Sequence, residues 1–131
     1  MSRFHRVELV RVSRTVDRPA IRLYAEITDD FNPIHLDPDF AAATPMRGII
    51  AHGMLSLNLI WQSVRKTYGS DAVQGARLDV RFVRPVREND TVSAGGRIRD
   101  GNPDGTAGLY DVVVENQNGE AVITGTLMLA G

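Results

Sequence analysis

The chain has no cysteine, a single tryptophan and a single lysine, Lys66, the other fourteen basic residues being arginine. Without cysteine, disulfides and thiolate metal sites are excluded, so packing alone must hold the core together. Charge of one sign is lacking too: 15 basic against 16 acidic residues leave a net charge of −1, which excludes nucleic acid as a partner bound through bulk positive charge. No apolar run approaches the roughly 20 residues of a membrane span. The opening Met1-Ser2-Arg3-Phe4-His5-Arg6 has no apolar stretch of a secretory signal behind it. The expectation is one soluble, cytoplasmic domain over residues 1–131, and with 43% apolar and 24% charged residues it has enough for a core.

Three zones follow along the chain. Residues 6–16 alternate loosely (Val7, Leu9, Val10 and Val12 among Arg and Ser) and predict a first strand or extended arm. Asp17 is placed to cap a helix that tolerates Pro19 in its first turn, with Ile21, Leu23, Tyr24 and Ile27 as an apolar stripe. Pro33, Pro38 and Pro45 make 29–51 loop-like, with room for one short helical turn through Phe40 to Ala43. From His52 to Val64 the sequence reads as a helix apolar nearly all round, Met54 and Trp61 included, with no charge before Arg65. Such a helix must be wrapped by the rest of the domain. Arg77–Val83 alternates with period two, and 90–99, 107–116 and 120–129 are further strands. Asp100–Gly105 links the first two of these, and Asn118-Gly119 is a hairpin signal between the last two. Consecutive strands with short turns predict an antiparallel meander. The fold class is therefore α+β, a curved sheet wrapped around a long central helix. Open sheet edges favour pairing of two copies.

Only three histidines occur, at 5, 35 and 52, and two of them flank the loop-rich zone. Asp30 and His35 would stand about 140° apart on a continuous helix, but Pro33 forbids that helix and pushes Asn32 toward extended geometry. The segment must turn, and a turn can bring carboxylate and imidazole to one side as a general acid–base pair holding one water. The plainer alternative is an Asp-capped turn with His35 on the surface. His52-Gly53 opens the wrapped helix, where the first backbone N–H groups lack partners and the dipole is positive. Gly53 lets an oxygen approach closely, so its N–H is a candidate oxyanion donor to an ester or thioester carbonyl. Here the alternative is that Gly53 packs tightly and His52 merely caps. Arg77, Arg81, Arg84 and Arg87 either meet phosphates at a pocket mouth or form a solvated strand face. No Gly-rich phosphate loop, metal-ligand cluster or nucleophile elbow is present.

Taken together, Asp-x-Asn-Pro-x-His at 30–35, the following Leu36-Asp37-Pro38 with Phe40-Ala41, and Ile50-Ala51-His52-Gly53-Met54 resemble the MaoC-like, or type 2, enoyl-CoA hydratases and 3-hydroxyacyl thioester dehydratases. Arg81-Phe82 through Pro85-Val86 and Asp90 resembles that family's strand after the helix, and the likeness runs from roughly 15 to 129. It implies the hot-dog fold, a homodimer or dimer of dimers, and R-specific hydration of trans-2-enoyl thioesters or the reverse dehydration. By motif position it implies that Asp30 and His35 activate the water and that the Gly53 N–H polarises the thioester carbonyl. Asn32, Pro33 and His52 would support the loop, with Arg84 a candidate for the substrate's phosphates. The partner implied is an acyl-CoA or acyl-carrier-protein thioester, with no metal or redox cofactor. One departure stands out: many members have Gly directly before the motif Asp, where this chain has Asp29. The rivals are a hot-dog thioesterase, which often carries its acidic residue on the central helix, and a non-catalytic acyl-thioester-binding domain. Residues 52–66 contain no Asp or Glu, which speaks against the thioesterase.

Overall fold

The apolar helix of the sequence is α4, Gly53–Tyr68, and in the computed structural model it packs against the strands of one curved antiparallel sheet. The structure describes residues 4, 6–99 and 108–130, so His5 and the Asp100–Gly105 link lie outside the described residues. Ahead of α4 come β1 (Val12–Thr15), α1 (Arg18–Thr28), α2 (Pro33–Leu36) and α3 (Pro38–Ala42). After it come a 3-10 turn (Ser70–Val73), β2 (Arg77–Phe82), β3 (Thr91–Ile98), β4 (Gly108–Glu115) and β5 (Ala121–Leu129). Among the described residues no helix is long and apolar enough to cross a membrane.

Leu57, Leu59, Ile60 and Val64 of α4 are buried in one cluster with Val92, Ala94, Val112, Val114 and Leu127 of the sheet. Each such leucine, isoleucine or valine side chain taken out of water contributes about 1.5–3 kcal/mol. That burial, rather than intrinsic propensity, decides that 53–68 is a central helix. Its Met54 side departs from the expectation of a helix wrapped all round, because nothing described covers it and Met54 is half exposed; Trp61 is partly buried against the core. In α1 only Ala20, Ile21 and Ala25 are buried, while Leu23 and Ile27 of the expected stripe face outward.

The sheet order is β1-β3-β4-β5-β2. β3, β4 and β5 form the expected meander, but β2 pairs with β5 at the far edge, Val80 opposite Gly125, instead of beside β3. Residues 83–90 therefore cross the end of the sheet at the β4–β5 hairpin. There the Thr91 N–H donates to Gln117 Oε1 at 3.0 Å, and Gln117 Nε2 donates to Asp90 at 2.9 Å. Local turn signals cannot report such a crossing, because it is set by closure of the sheet over α4. Gly125 is needed at the point of closest approach: a Cβ there would lie 2.1 Å from the Asp79 carbonyl oxygen.

The loop-like zone holds more helix than the sequence predicts. Pro33 and Pro38 each open a short helix, since proline has no N–H to lose at that position and its φ is already set. Asn32 and Asp37 cap them, Asn32 Oδ1 accepting from the Ile34 N–H at 3.1 Å and Asp37 Oδ1 from Asp39 at 3.1 Å and Phe40 at 3.2 Å. Asp17 caps α1 as expected, accepting from the Ala20 N–H at 3.0 Å. The crossing segment then clamps the chain entering α4: the Ala51 N–H donates to Val86 O at 2.8 Å, and Ile50 bridges Arg87.

Candidate active site

Asp30 stands just past the end of α1, which Asp29 closes in the left-handed conformation at φ 56° and ψ 34°. This is the position where glycine commonly ends a helix, so the departure noted at Asp29 is an aspartate in a glycine-type conformation. The Asp30 N–H donates back to Ala25 O at 3.1 Å, and its carboxylate accepts from the Asn32 N–H at 3.3 Å. Asn32 and Pro33 then start α2, which carries His35.

His35 Nδ1 donates to Ile50 O at 2.7 Å. A carbonyl oxygen can only accept, so Nδ1 carries the hydrogen and neutral His35 keeps its lone pair on Nε2. His52, just before α4, does not cap that helix with its side chain. Its ring stacks on His35, centroids 3.8 Å apart and 26° between planes, and tilts against Tyr24 at 5.1 Å. His52 Nε2 donates to the Asp30 carbonyl oxygen at 3.0 Å and lies 3.9 Å from Asp30 Oδ2. With its side chain only 4% exposed against 51% for Asp30, His52 is the buried pin and Asp30 the accessible acid. One polar atom from each of Asp30, His35 and His52 falls within 4.8 Å of the others.

That donor set bears on metal binding. Two of the four ring nitrogens are spent on carbonyl oxygens, leaving the Asp30 carboxylate, His35 Nε2 and the buried His52 Nδ1, which has no hydrogen-bond partner among the described residues. A cation would draw on all three, whereas an acid and a base sharing a water need only the accessible Asp30 carboxylate and His35 Nε2.

A cavity of about 340 Å³ is lined by Ile50, Ala51, Gly53, Ser56, Phe82 and Ile123, among others. It meets the site through Ile50, whose carbonyl holds His35, and Gly53, which follows His52, while Asp30 and His35 do not line it. Gly53, first residue of α4, has the Phe82 ring lying directly over it, with ring carbon Cε1 2.9 Å from where a Cβ would be. Arg84 lines the cavity, half exposed, and pairs with Glu120 at 3.3 Å. Arg87 is turned away, donating to Met46 O at 2.6 Å. A depression of about 360 Å³ around Gly95, Gly96 and Asp111 lies elsewhere, bordered by the exposed Arg97–Glu8 pair.

The structure thus brings Asp30, His35, Asn32, Pro33, His52 and Gly53 into one neighbourhood and sets Arg84 beside the cavity. Sequence reasoning missed Tyr24, Ser56, Phe82 and the Ile50 carbonyl. Tyr24 was legible only as part of an apolar stripe, and a backbone carbonyl leaves no signature. The Gly53–Ser56 spacing of three residues, one helical turn, was the available signal for Ser56. Burial raises the Tyr24 phenol above its ordinary value, with the hydrogen bond to Asn58 opposing.

A long helix embraced by one antiparallel sheet is the hot-dog architecture. The chain belongs to the MaoC like domain family, which matches residues 4–122. It is 33% identical over 134 residues to nodulation protein N of Rhizobium meliloti, covering 88% of this chain and 79% of that protein. It is 34% identical over 93 residues to the (R)-specific enoyl-CoA hydratase of Rhodospirillum rubrum, covering 63% of this chain and 58% of that enzyme. Among solved structures, the (R)-hydratase from A. caviae involved in PHA biosynthesis superposes with a TM-score of 0.83 at 25% identity, over 98% of both chains.

Proposed function

We propose that the chain is a hydro-lyase that adds water to trans-2-enoyl thioesters to give (R)-3-hydroxyacyl thioesters, or catalyses the reverse dehydration. The observation that carries this reading is the fixed tautomer of His35. With Nδ1–H committed to Ile50 O, Nε2 is a base beside the Asp30 carboxylate. The pair takes a proton from water as the water oxygen bonds to C3, and returns a proton to C2. Charge that develops on the thioester oxygen meets the Gly53 N–H at the positive end of α4. His52 positions both members, one by stacking and one through the Asp30 carbonyl. The half-exposed Arg84 suits the phosphates of a CoA or carrier arm leaving the cavity. The names of the relatives support both the reaction and its R-specificity.

The active form we infer is a homodimer of single hot-dog units. β2 pairs with β5 alone among the described strands, and Phe82 and Val83 at its end are half exposed. Size-exclusion chromatography with light scattering reads this directly, and a monomer would remove the inference.

The reaction is tested by loss of enoyl absorbance from crotonyl-CoA, with chiral analysis of the product. Asp30→Asn and His35→Ala should each lower kcat by about 10²–10⁴, the range for a lost acid–base group, with the fold intact. Asp30→Asn keeps the backbone carbonyl that holds His52, so it isolates the carboxylate. Full activity in either variant would sink the acid–base assignment, and thiol release without hydration would point to the thioesterase. Against that rival, α4 carries no Asp or Glu along its whole length.

A further inference from the structure

Ser56 is 1% exposed, and its hydroxyl has no hydrogen-bond partner among the described residues. A helical serine ordinarily spends its hydroxyl on the carbonyl four residues back. The other sheltered hydroxyls of α4 are spent: the buried Ser63 donates to Val10 O, and the part-buried Thr67 donates to Ser63 O while accepting from the Val10 N–H. Ser56 alone among them faces the cavity, in company with Ala51, Val122 and Ile123. A buried hydroxyl without a protein partner is costly, and alanine would line the same wall without that cost. In an apolar cavity, a few placed polar groups set orientation and specificity.

The position along α4 says what this hydroxyl meets. Ser56 is one turn after Gly53 and on nearly the same face, roughly 4.5 Å further along the axis. A thioester oxygen at the Gly53 N–H therefore leaves Ser56 about three or four carbon–carbon bonds away, by that same rise. The accessible Arg84 marks the end from which a charged arm emerges to solvent, whereas Ser56, Val122 and Ile123 form a buried end. The buried end takes the acyl chain.

Resting on the hydratase reading above, we propose that Ser56 is a specificity-determining residue whose hydroxyl binds an oxygen substituent, hydroxyl or keto, near C5 of the acyl chain. The substrate class is then an oxygenated enoyl thioester rather than a plain alkyl one. The test compares kcat/KM for 5-hydroxy-trans-2-hexenoyl-CoA and trans-2-hexenoyl-CoA in the wild type, Ser56→Ala and Ser56→Thr. Because the result is a ratio within one protein sample, partial misfolding cancels. The wild type should favour the hydroxylated substrate about tenfold, the worth of one neutral hydrogen bond in a closed site. Ser56→Ala should erase that preference and Ser56→Thr, which keeps the hydroxyl, should retain it. A wild type with no preference, or a Ser56→Ala ratio equal to wild type, overturns the role of Ser56 while leaving the hydratase intact. A wild type that hydrates neither compound nor crotonyl-CoA overturns the hydratase reading, and this proposal with it.

Discussion

Gly53→Ala separates catalysis from folding more sharply than any other single change. A Cβ at position 53 would lie 2.9, 3.1 and 3.6 Å from the Phe82 ring carbons Cε1, Cδ1 and Cζ. Carbon atoms settle at about 3.5–4.0 Å, so the ring must retreat by about 0.6–1 Å, and being 54% exposed it has room to do so. The repulsion is offset by alanine's helix preference over glycine, up to about 1 kcal/mol in a helix interior and less in the first turn. Stability should therefore change by no more than about 1 kcal/mol, and Tm by about 4 °C. Activity should not be spared. The added methyl and the displaced ring crowd the N–H that, in the proposed mechanism, comes within about 2.7–3.1 Å of the thioester oxygen. Complete loss of one such donor costs about 10²–10³ in rate, and an obstructed one should cost about a hundredfold, or about 2.7 kcal/mol. The assay is crotonyl-CoA hydration beside a thermal melt. Adding Phe82→Ala should recover about tenfold, with the single Phe82→Ala variant closing the cycle. Full activity in Gly53→Ala would refute the close approach at Gly53. A loss that Phe82→Ala does not relieve would refute the ring as its cause.

Three further outcomes follow from the same geometry. Gly125→Ala places a Cβ 2.1 Å from the Asp79 carbonyl oxygen, which is backbone and cannot swing aside; β2 should part from β5 at a cost of about 3 kcal/mol, read as a fall in Tm of about 10 °C. Asp29→Gly relieves a left-handed aspartate at φ 56° and should raise stability by about 0.5 kcal/mol after the added freedom of the unfolded chain, with hydration unchanged; a loss of stability would mean that the aspartate side chain supports the turn. The Tyr110 phenol, which donates to Arg6 O at 2.7 Å, is held above its ordinary value of 10.0 by burial first and then by its hydrogen bond with Tyr68. A raised value means that the folded state keeps its proton longer. This contribution is thus fully present below pH 10 and declines as pH rises toward the folded value, by about 1.4 kcal/mol per pH unit. Denaturant titrations on either side of about pH 10 should show this slope reduced in Tyr110→Phe, and an identical slope would refute it.

Much of this protein is written locally in its sequence. Asp17 announces a helix start because a short side-chain oxygen can satisfy a free N–H within three residues; Asn32 and Asp37 cap in the same way, in a zone the sequence predicts as a loop. The strands at 91–98, 108–115 and 121–129 follow from period-two patterning and the Asn118-Gly119 turn. A proline-enforced turn allowed Asp30 and His35 to meet, but it was the likeness of Asp-x-Asn-Pro-x-His with His-Gly to the family's motif that favoured their pairing over a surface histidine. What tertiary structure alone decided is whatever depends on partners far along the chain. β2 joins β5 across the sheet because closing over α4 requires it. Leu23, Ile27 and Met54 stay exposed because no described element covers their side. His52 became the pin of the site rather than a cap, 22 residues from the carbonyl it holds. Side-chain period reports which face a residue is on, but the neighbour on that face is fixed only when the chain has closed around its core.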